Sequence, residues 1–106
     1  FFNFSKKNKI PSYFYFLPDD PYAIKFMEDK EDMTYILRPS NSDRSNSLSI
    51  TYKNEGIHQL KIILIDNQKW HAEWENEDGE PEDIIRSNVT ELIEYIFSEE
   101  YSPIIQ

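Results

Sequence analysis

The sequence predicts an α+β domain in which a central antiparallel sheet lies between two helices. Apolar residues recur at helical spacing in residues 23–27 and again in residues 89–96. Segments rich in β-forming residues occupy the chain between these two stretches. Residues 57–65 carry apolar side chains on both faces of a predicted strand, and such a strand is expected in the middle of a sheet that is covered on both sides.

The first helix is predicted to begin after a turn at residues 18–21 and to run to about residue 29. Asp19 or Asp20 can cap its amino end, and Pro21 suits the first helical position. The second helix is predicted at residues 88–97, where Asn88 and Glu91 have the spacing of a capping box. Its apolar stripe consists of Val89, Leu92, Ile93 and Ile96.

The strands are predicted at residues 33–39, 47–53, 57–65 and 69–74, with a short closing strand at residues 101–105. The alternation in residues 47–53 places Leu48 and Ile50 on one face. Its other face carries Ser47, Ser49 and Thr51. Residues 75–83 contain six acidic residues in nine, so we expect a solvated loop there.

Composition restricts the kinds of partner. The 106 residues fit one domain, and we expect residues 1–12 to form an arm or linker and residues 13–106 to form the folded unit. The net charge of −9 argues against binding to nucleic acid or to an anionic membrane surface, because both depend on lysine and arginine. The chain contains no cysteine, which excludes disulfides and thiolate metal sites and agrees with an intracellular location.

The informative motif is the run Tyr-Ile-Leu-Arg-Pro-Ser at residues 35–40, followed by a polar loop at residues 41–46. A charged side chain such as Arg38 is costly in an apolar strand unless it is paired. Its planar guanidinium can donate two parallel hydrogen bonds to a phosphate. Small hydroxyl and amide side chains around it can complete an anion pocket. The candidate phosphate-binding residues are Arg38, Ser40, Asn41, Ser42, Ser47 and Ser49.

This run resembles the Src-homology 2 (SH2) family, whose strand signature is Phe-Leu-Val-Arg followed by Glu-Ser or Pro-Ser. The resemblance extends over about residues 13–105, and it includes both predicted helices and the strand at residues 47–53. Within the family, the sequence is most similar to the SH2 domains of tandem-SH2 transcription elongation factors and to those of Legionella-like bacterial effectors. The resemblance implies that Arg38 binds the phosphate of phosphotyrosine and that Ser40 and Ser42 lie in the phosphate-binding loop.

Two positions depart from the family pattern. Many SH2 domains carry a second arginine near the start of the first helix, where this chain has Asp20 or Asp19. The family also has a histidine on the third strand beside the pocket. His58 and Leu60 are the two candidates for that position, and we expect them at the pocket rim.

The resemblance implies a non-enzymatic module without a cofactor, which recognises a tyrosine-phosphorylated protein or peptide. We expect a monomeric domain of a larger intracellular protein, located in the cytoplasm, in a host cytosol for an effector, or in the nucleus for an elongation factor. Two alternatives remain open. One is a structural SH2-like domain, favoured if Asp20 pairs with Arg38. The other is binding of phosphoserine or phosphothreonine, favoured by a shallow pocket.

Overall fold

A computed structural model describes residues 11–17, 19–40, 47–66, 69–76, 78–97 and 99–106. In chain order the elements are helix α1 (Asp20–Met27), strands β1 (Thr34–Pro39), β2 (Ser47–Lys53), β3 (Ile57–Ile65), β4 (Lys69–Glu75) and β5 (Pro81–Arg86), helix α2 (Val89–Ile96) and strand β6 (Ser102–Pro103). Two predicted site residues, Asn41 and Ser42, lie outside the described residues, as does most of the expected arm at residues 1–12.

The strands form one sheet in the order β5-β4-β3-β2-β1-β6. Strands β1 to β5 pair antiparallel in sequence, which confirms the antiparallel body of the predicted sheet. Strand β6 pairs parallel to β1, so the sheet is mixed and the prediction of a purely antiparallel sheet is corrected. The segment before α1 also pairs parallel to β1, through a bridge between Phe14 and Leu37. The α+β class and the interior position of β3 are confirmed.

One face of the sheet, called here the α2 side, carries the main hydrophobic core. Residues directly opposite each other on paired strands share a face, and the opposed set Leu37, Ile50 and Leu60 lies on this side. Helix α2 covers it over β4 and β5 because the predicted apolar stripe turns inward. The buried core residues of this side are Tyr13, Phe14, Tyr35, Leu37, Leu48, Ile50, Ile62, Trp70, Ala72, Ile84, Val89, Leu92, Ile93 and Phe97.

The opposite face, the α1 side, is covered over β2 by helix α1. Ala23 and Met27 lie one turn apart on α1 and are fully buried, as is Ile36, which alternates with core residue Leu37. Lys53, at the end of β2, donates hydrogen bonds to the carbonyl oxygens of Glu28 and Lys30, at 2.9 and 2.7 Å. These contacts attach the carboxyl end of α1 to the sheet.

Side-chain caps begin both helices as predicted. Asp19 precedes α1 and accepts a hydrogen bond from the backbone N–H of Tyr22, at 3.4 Å. Asn88 precedes α2, and its Oδ1 accepts hydrogen bonds from the backbone N–H groups of Thr90 and Glu91, at 2.8 and 3.4 Å. These bonds satisfy amide groups that have no partner inside the helix.

The acidic stretch at residues 75–83 was expected to be a loop throughout, and this prediction is wrong in its second half. Strand β5 begins at Pro81 and pairs with β4, with Glu82 opposite Trp74 and Asp83 opposite Glu73. Strand β5 is the last strand of the sheet at one border, and the two-residue strand β6 is the last at the other. None of the helices formed by the described residues is long and apolar enough to cross a bilayer.

Candidate functional site

Arg38 lies in β1 with its side chain on the α1 side of the sheet. Its position follows from strand alternation, because Leu37 before it belongs to the core of the α2 side. Arg38 pairs with Ser49 on β2, and Ser49 pairs with Lys61 on β3. These three positions form a row across the strands on one face. The sheet register thus surrounds the guanidinium with polar residues of β2 and β3.

The guanidinium donates hydrogen bonds to acceptors on three strands and on helix α1. Nε donates to Thr51 Oγ1 at 2.9 Å, and Nη1 donates to the backbone oxygen of Pro39 at 3.2 Å. Nη2 donates to Gln59 Oε1 at 3.1 Å and to Asp20 Oδ1. The Thr51 hydroxyl in turn donates to Gln59 Oε1 at 2.5 Å. Since Thr51 and Gln59 are also directly opposite each other on β2 and β3, they form a preorganised neutral support for the arginine.

The contact with Asp20 is an ion pair. Asp20 is the first residue of α1, and the packing of Ala23 and Met27 holds that helix against the sheet. The side chain of Arg38 is 0% exposed, whereas that of Asp20 is 47% exposed. The ion pair therefore joins a buried cation to a carboxylate that remains half in solvent. This is the arrangement named above as favouring a structural role for Arg38.

The predicted serines that the structure describes are buried beside the arginine strand. Ser40, Ser47 and Ser49 are 4%, 1% and 7% exposed. Ser49 lies opposite Arg38, and its hydroxyl is 3.4 Å from Gln59 Oε1. Ser47 lies on the same face, opposite Ile63 of β3. The structure thus places Ser47 and Ser49 on the arginine side of the sheet rather than on an open surface.

His58 and Leu60 do not border the arginine. Leu60 pairs with Ile50 and packs against the core of the α2 side, and the ring of His58 stacks on Tyr52 with centroids 5.2 Å apart. The expectation that they border Arg38 is therefore corrected, although Leu60 also contributes to the lining of the cleft beside Gln59. Both residues lie on the opposite face of the sheet, because β3 meets β2 in the register that turns Gln59 toward Arg38.

Sequence reasoning missed three residues on the arginine face: Thr51, Gln59 and Lys61. Thr51 continues the alternation of Ser47 and Ser49, so the periodicity of β2 contained the signal for it. Gln59 and Lys61 occupy alternate positions of a strand that is apolar on both faces. No sequence pattern selects their face, and only the pairing with β2 does so.

A cleft of about 350 Å³ opens beside this site on the α1 side, beyond the part of the sheet that α1 covers. It is lined by Gln59, Leu60, Lys61, Ile63, His71 and Glu73. His71 lies opposite Ile63, and its Nε2 is 3.3 Å from Asp83 Oδ2. The cleft shares Gln59 with the support of Arg38, although Arg38 itself is not among the residues that line it.

A second cleft, of about 190 Å³, lies on the α2 side between β3, β4 and the segment after α2. It is lined by Tyr52, Leu60, Trp74, Glu75, Ile96, Phe97 and Tyr101. Burial, together with the nearby Tyr101 phenol, raises the pKa of Tyr52. This cleft is thus largely aromatic, with one carboxylate at its edge.

The sequence matches no protein-family model, and no curated protein matches it. Among the described residues, no group of three histidine, cysteine, aspartate or glutamate side chains is arranged to hold a metal ion. The residues around Arg38 are therefore the basis for inferring a function.

Proposed function

We propose that this chain is a phosphotyrosine-peptide recognition module of the SH2 type, in which Arg38 binds the phosphate. The observation that carries the proposal is the buried guanidinium of Arg38, held by the neutral acceptors Thr51 and Gln59 and paired with an anion that approaches from the solvent side. The resemblance of residues 35–40 to the family's strand motif supports the same function.

The stability of the fold does not by itself explain why an arginine is buried at this position. Taking a cation out of water costs free energy, and replacing a buried ion pair by apolar residues is often neutral or stabilising. Here Arg38 is fully buried on the same face as Ile36, Ala23 and Met27, so its charge is held next to an apolar part of the protein. A preorganised guanidinium is well suited to a phosphate, because its fork matches two of the phosphate oxygens.

The cleft beside Gln59 gives the phosphotyrosine ring a place on the same face as Arg38. Ile63 supplies an apolar wall, and Lys61 adds a cation to the polar end. A ring entering this cleft would direct its phosphate toward the row formed by Lys61, Ser49 and Arg38.

The residues after the phosphotyrosine would pass between β3 and β4 beside residues 57–61, which pair with β2 but not with β4, and so reach the second cleft on the α2 side. We expect Trp74 and Tyr101 to contact an apolar side chain of the peptide there. The acidic segment at residues 75–83 lies next to Trp74 in the chain and would favour basic flanking residues.

A structural SH2-like domain within a larger protein is the second candidate, and the ion pair between Asp20 and Arg38 is the observation that favours it. In that case the carboxylate is the permanent partner of the arginine, and no phosphate enters. The two candidates differ in what Arg38 does for binding and for stability.

Titration against a degenerate phosphopeptide library, with matched unphosphorylated peptides, tests the proposal. We expect the unmodified chain to bind a subset of the phosphopeptides, and Arg38→Ala to lose that binding while the fold survives. Arg38→Lys keeps the charge but loses the planar fork, so we expect it to bind at least about tenfold more weakly. Arg86→Ala is the matched control, because Arg86 lies on β5 over the Tyr95 ring, with its guanidinium carbon 5.0 Å from the ring centroid.

Retained affinity in Arg38→Ala would contradict the assignment of the phosphate to this residue. An unmodified chain that binds no phosphopeptide, together with an Arg38→Ala variant that is mainly less stable, would support the structural candidate instead. Circular dichroism of each variant separates loss of binding from loss of the fold.

A further inference from the structure

We propose that Asp20 sets the affinity of the Arg38 site by acting as an internal competitor of the phosphate. In the unliganded chain its carboxylate occupies a position at the guanidinium that a phosphate oxygen takes on binding. This inference rests on the proposed function, and it names the residue that a phosphorylated ligand must displace.

The contacts of Arg38 with Thr51, Gln59, Pro39 and Asp20 divide into a fixed set and an exchangeable one. Thr51 Oγ1, Gln59 Oε1 and the backbone oxygen of Pro39 are neutral acceptors on the strands of the sheet. Asp20 Oδ1 is a charged acceptor on a helix, and it shares Nη2 with Gln59. The strand acceptors hold the orientation of the guanidinium, and Asp20 satisfies its charge.

Asp20 can leave without disturbing the fold. Its side chain is 47% exposed, so an alternative rotamer would place the carboxylate in water. The helix start does not depend on Asp20, because Asp19 supplies the cap. Arg38 has no comparable freedom, since its side chain is fully buried and attached to β2 and β3. Ligand binding is therefore an exchange of one anion for another at a stationary cation.

The ion pair lowers the apparent affinity for phosphate in two ways. The site is competent only in the fraction of molecules in which the carboxylate has left, and the apparent dissociation constant rises by the inverse of that fraction. A displaced carboxylate that stays nearby also repels the phosphate dianion. Replacing Asp20 by asparagine keeps the size of the side chain, removes the repulsion and weakens the competition, because a neutral amide oxygen is a poorer acceptor for a guanidinium than a carboxylate is.

The test compares Asp20→Asn with Asp19→Asn by isothermal titration calorimetry, using phenyl phosphate and one phosphotyrosine peptide from the library. Asparagine caps a helix as well as aspartate does, so Asp19→Asn makes the same charge change one residue away from the ion pair. We expect Asp20→Asn to bind both ligands about tenfold more tightly than the unmodified chain, and Asp19→Asn to change affinity by less than about twofold. In the absence of ligand, the NMR resonance of Arg38 Nε–Hε in Asp20→Asn should be shifted from its position in the unmodified chain.

Each result has a distinct meaning. The inference is supported if Asp20→Asn binds more tightly than the unmodified chain and Asp19→Asn does not. It is also supported if Asp20→Asn is the one variant that binds measurably. Equal or weaker binding by Asp20→Asn, when the unmodified chain binds, overturns the inference and leaves the proposed function intact. If Asp19→Asn gains as much as Asp20→Asn, general charge is the cause and the inference is overturned. Absence of binding in every variant overturns the proposed function and the inference with it.

Discussion

Tyr35 and Phe97 stack face to face, with ring centroids 4.7 Å apart and ring planes 5° from parallel. Tyr35 lies on β1, and Phe97 is the residue at which α2 ends. Tyr13 adds an edge contact to Tyr35, with centroids 5.5 Å apart. These three rings connect the segment before α1, the sheet and the last turn of α2. The phenol of Tyr35 is thereby buried close to other aromatic groups.

The stacked tyrosine predicts loss of stability at high pH. Burial, with smaller contributions from Tyr13 and Glu94, raises the pKa of Tyr35 from 10.0 to about 12. The unfolded chain therefore loses this proton at a lower pH than the folded chain does. The stability contributed by neutral Tyr35 is complete below pH 10.0 and is lost as the pH rises toward about 12. Denaturant titrations across this range should show a falling free energy of unfolding.

Tyr35→Phe is the variant that separates Tyr35 from the other buried phenols. It keeps the ring stack and removes the titrating group, so its free energy of unfolding should fall less steeply over the same pH range. Burial also raises the pKa of Tyr13 and Tyr52, and a residual slope is therefore expected. An unchanged slope in Tyr35→Phe would show that Tyr35 is not the main titrating group.

The packing of the core on the α2 side predicts a large loss of stability for Ile93→Ala. Ile93 is fully buried on the face of α2 that packs on the sheet. Removing its side chain should cost about 2–5 kcal/mol, from lost burial and the cavity left behind. Urea denaturation measures the difference. Glu94→Ala, an exposed position on the same helix, should change stability by no more than about 0.5 kcal/mol.

The hydrogen bond from Arg38 to Thr51 predicts that Thr51→Val destabilises the fold more than the same substitution at the half-buried Thr34 does. Valine keeps the shape of threonine but leaves the buried Arg38 Nε–H without the Thr51 oxygen, at a cost of about 1–3 kcal/mol. Thr34→Val is the matched control, because the hydroxyl of Thr34 donates to the backbone oxygen of Glu31 in an exposed bond. Equal losses in the two variants would argue against a buried hydrogen bond at Thr51.

Removing the cap of α2 at Asn88 is expected to lower the stability of the fold by less than Ile93→Ala does. Asn88→Ala removes the acceptor for the backbone N–H groups of Thr90 and Glu91 and should lower stability by about 1 kcal/mol. Asn88→Ser retains a capping oxygen, so thermal unfolding should show most of the stability kept. A serine variant as unstable as the alanine variant would mean that Asn88 acts through another contact.

Much of the fold follows from local patterns in the sequence. The alternation of residues 47–53 correctly separates Leu48 and Ile50 of the core from Ser49 on the arginine face. The apolar stripe and the asparagine cap correctly predict α2. Both patterns can be recognised in the sequence because each element has one apolar and one polar face.

The remaining features depend on pairing between distant segments. Strand β5 lies at the border of the sheet, where Glu82 and Asp83 are exposed, so its charge pattern is that of a loop. Strand β6 is parallel to β1 through a contact between Thr34 and Ser102, which no local pattern indicates.

The site shows the same division. A partner for Arg38 was predictable, because a charge in an apolar strand requires one, but Asp20 was considered only as the alternative to a phosphate. The face of β3 was not foreseeable, since apolar residues lie on both of its sides. Leu60, which was expected at the pocket rim, therefore packs on the other face, and Gln59, for which no role was predicted, contacts Arg38.

The two borders of the sheet bear on how this chain behaves at high concentration. One border strand begins with Pro81 and carries the exposed carboxylates of Glu82 and Asp83, and the other, β6, has only two residues. A neighbouring molecule that tried to extend the sheet would meet like charges on one side and too few free amides on the other. Edge-to-edge aggregation is thus disfavoured by the construction of the sheet itself.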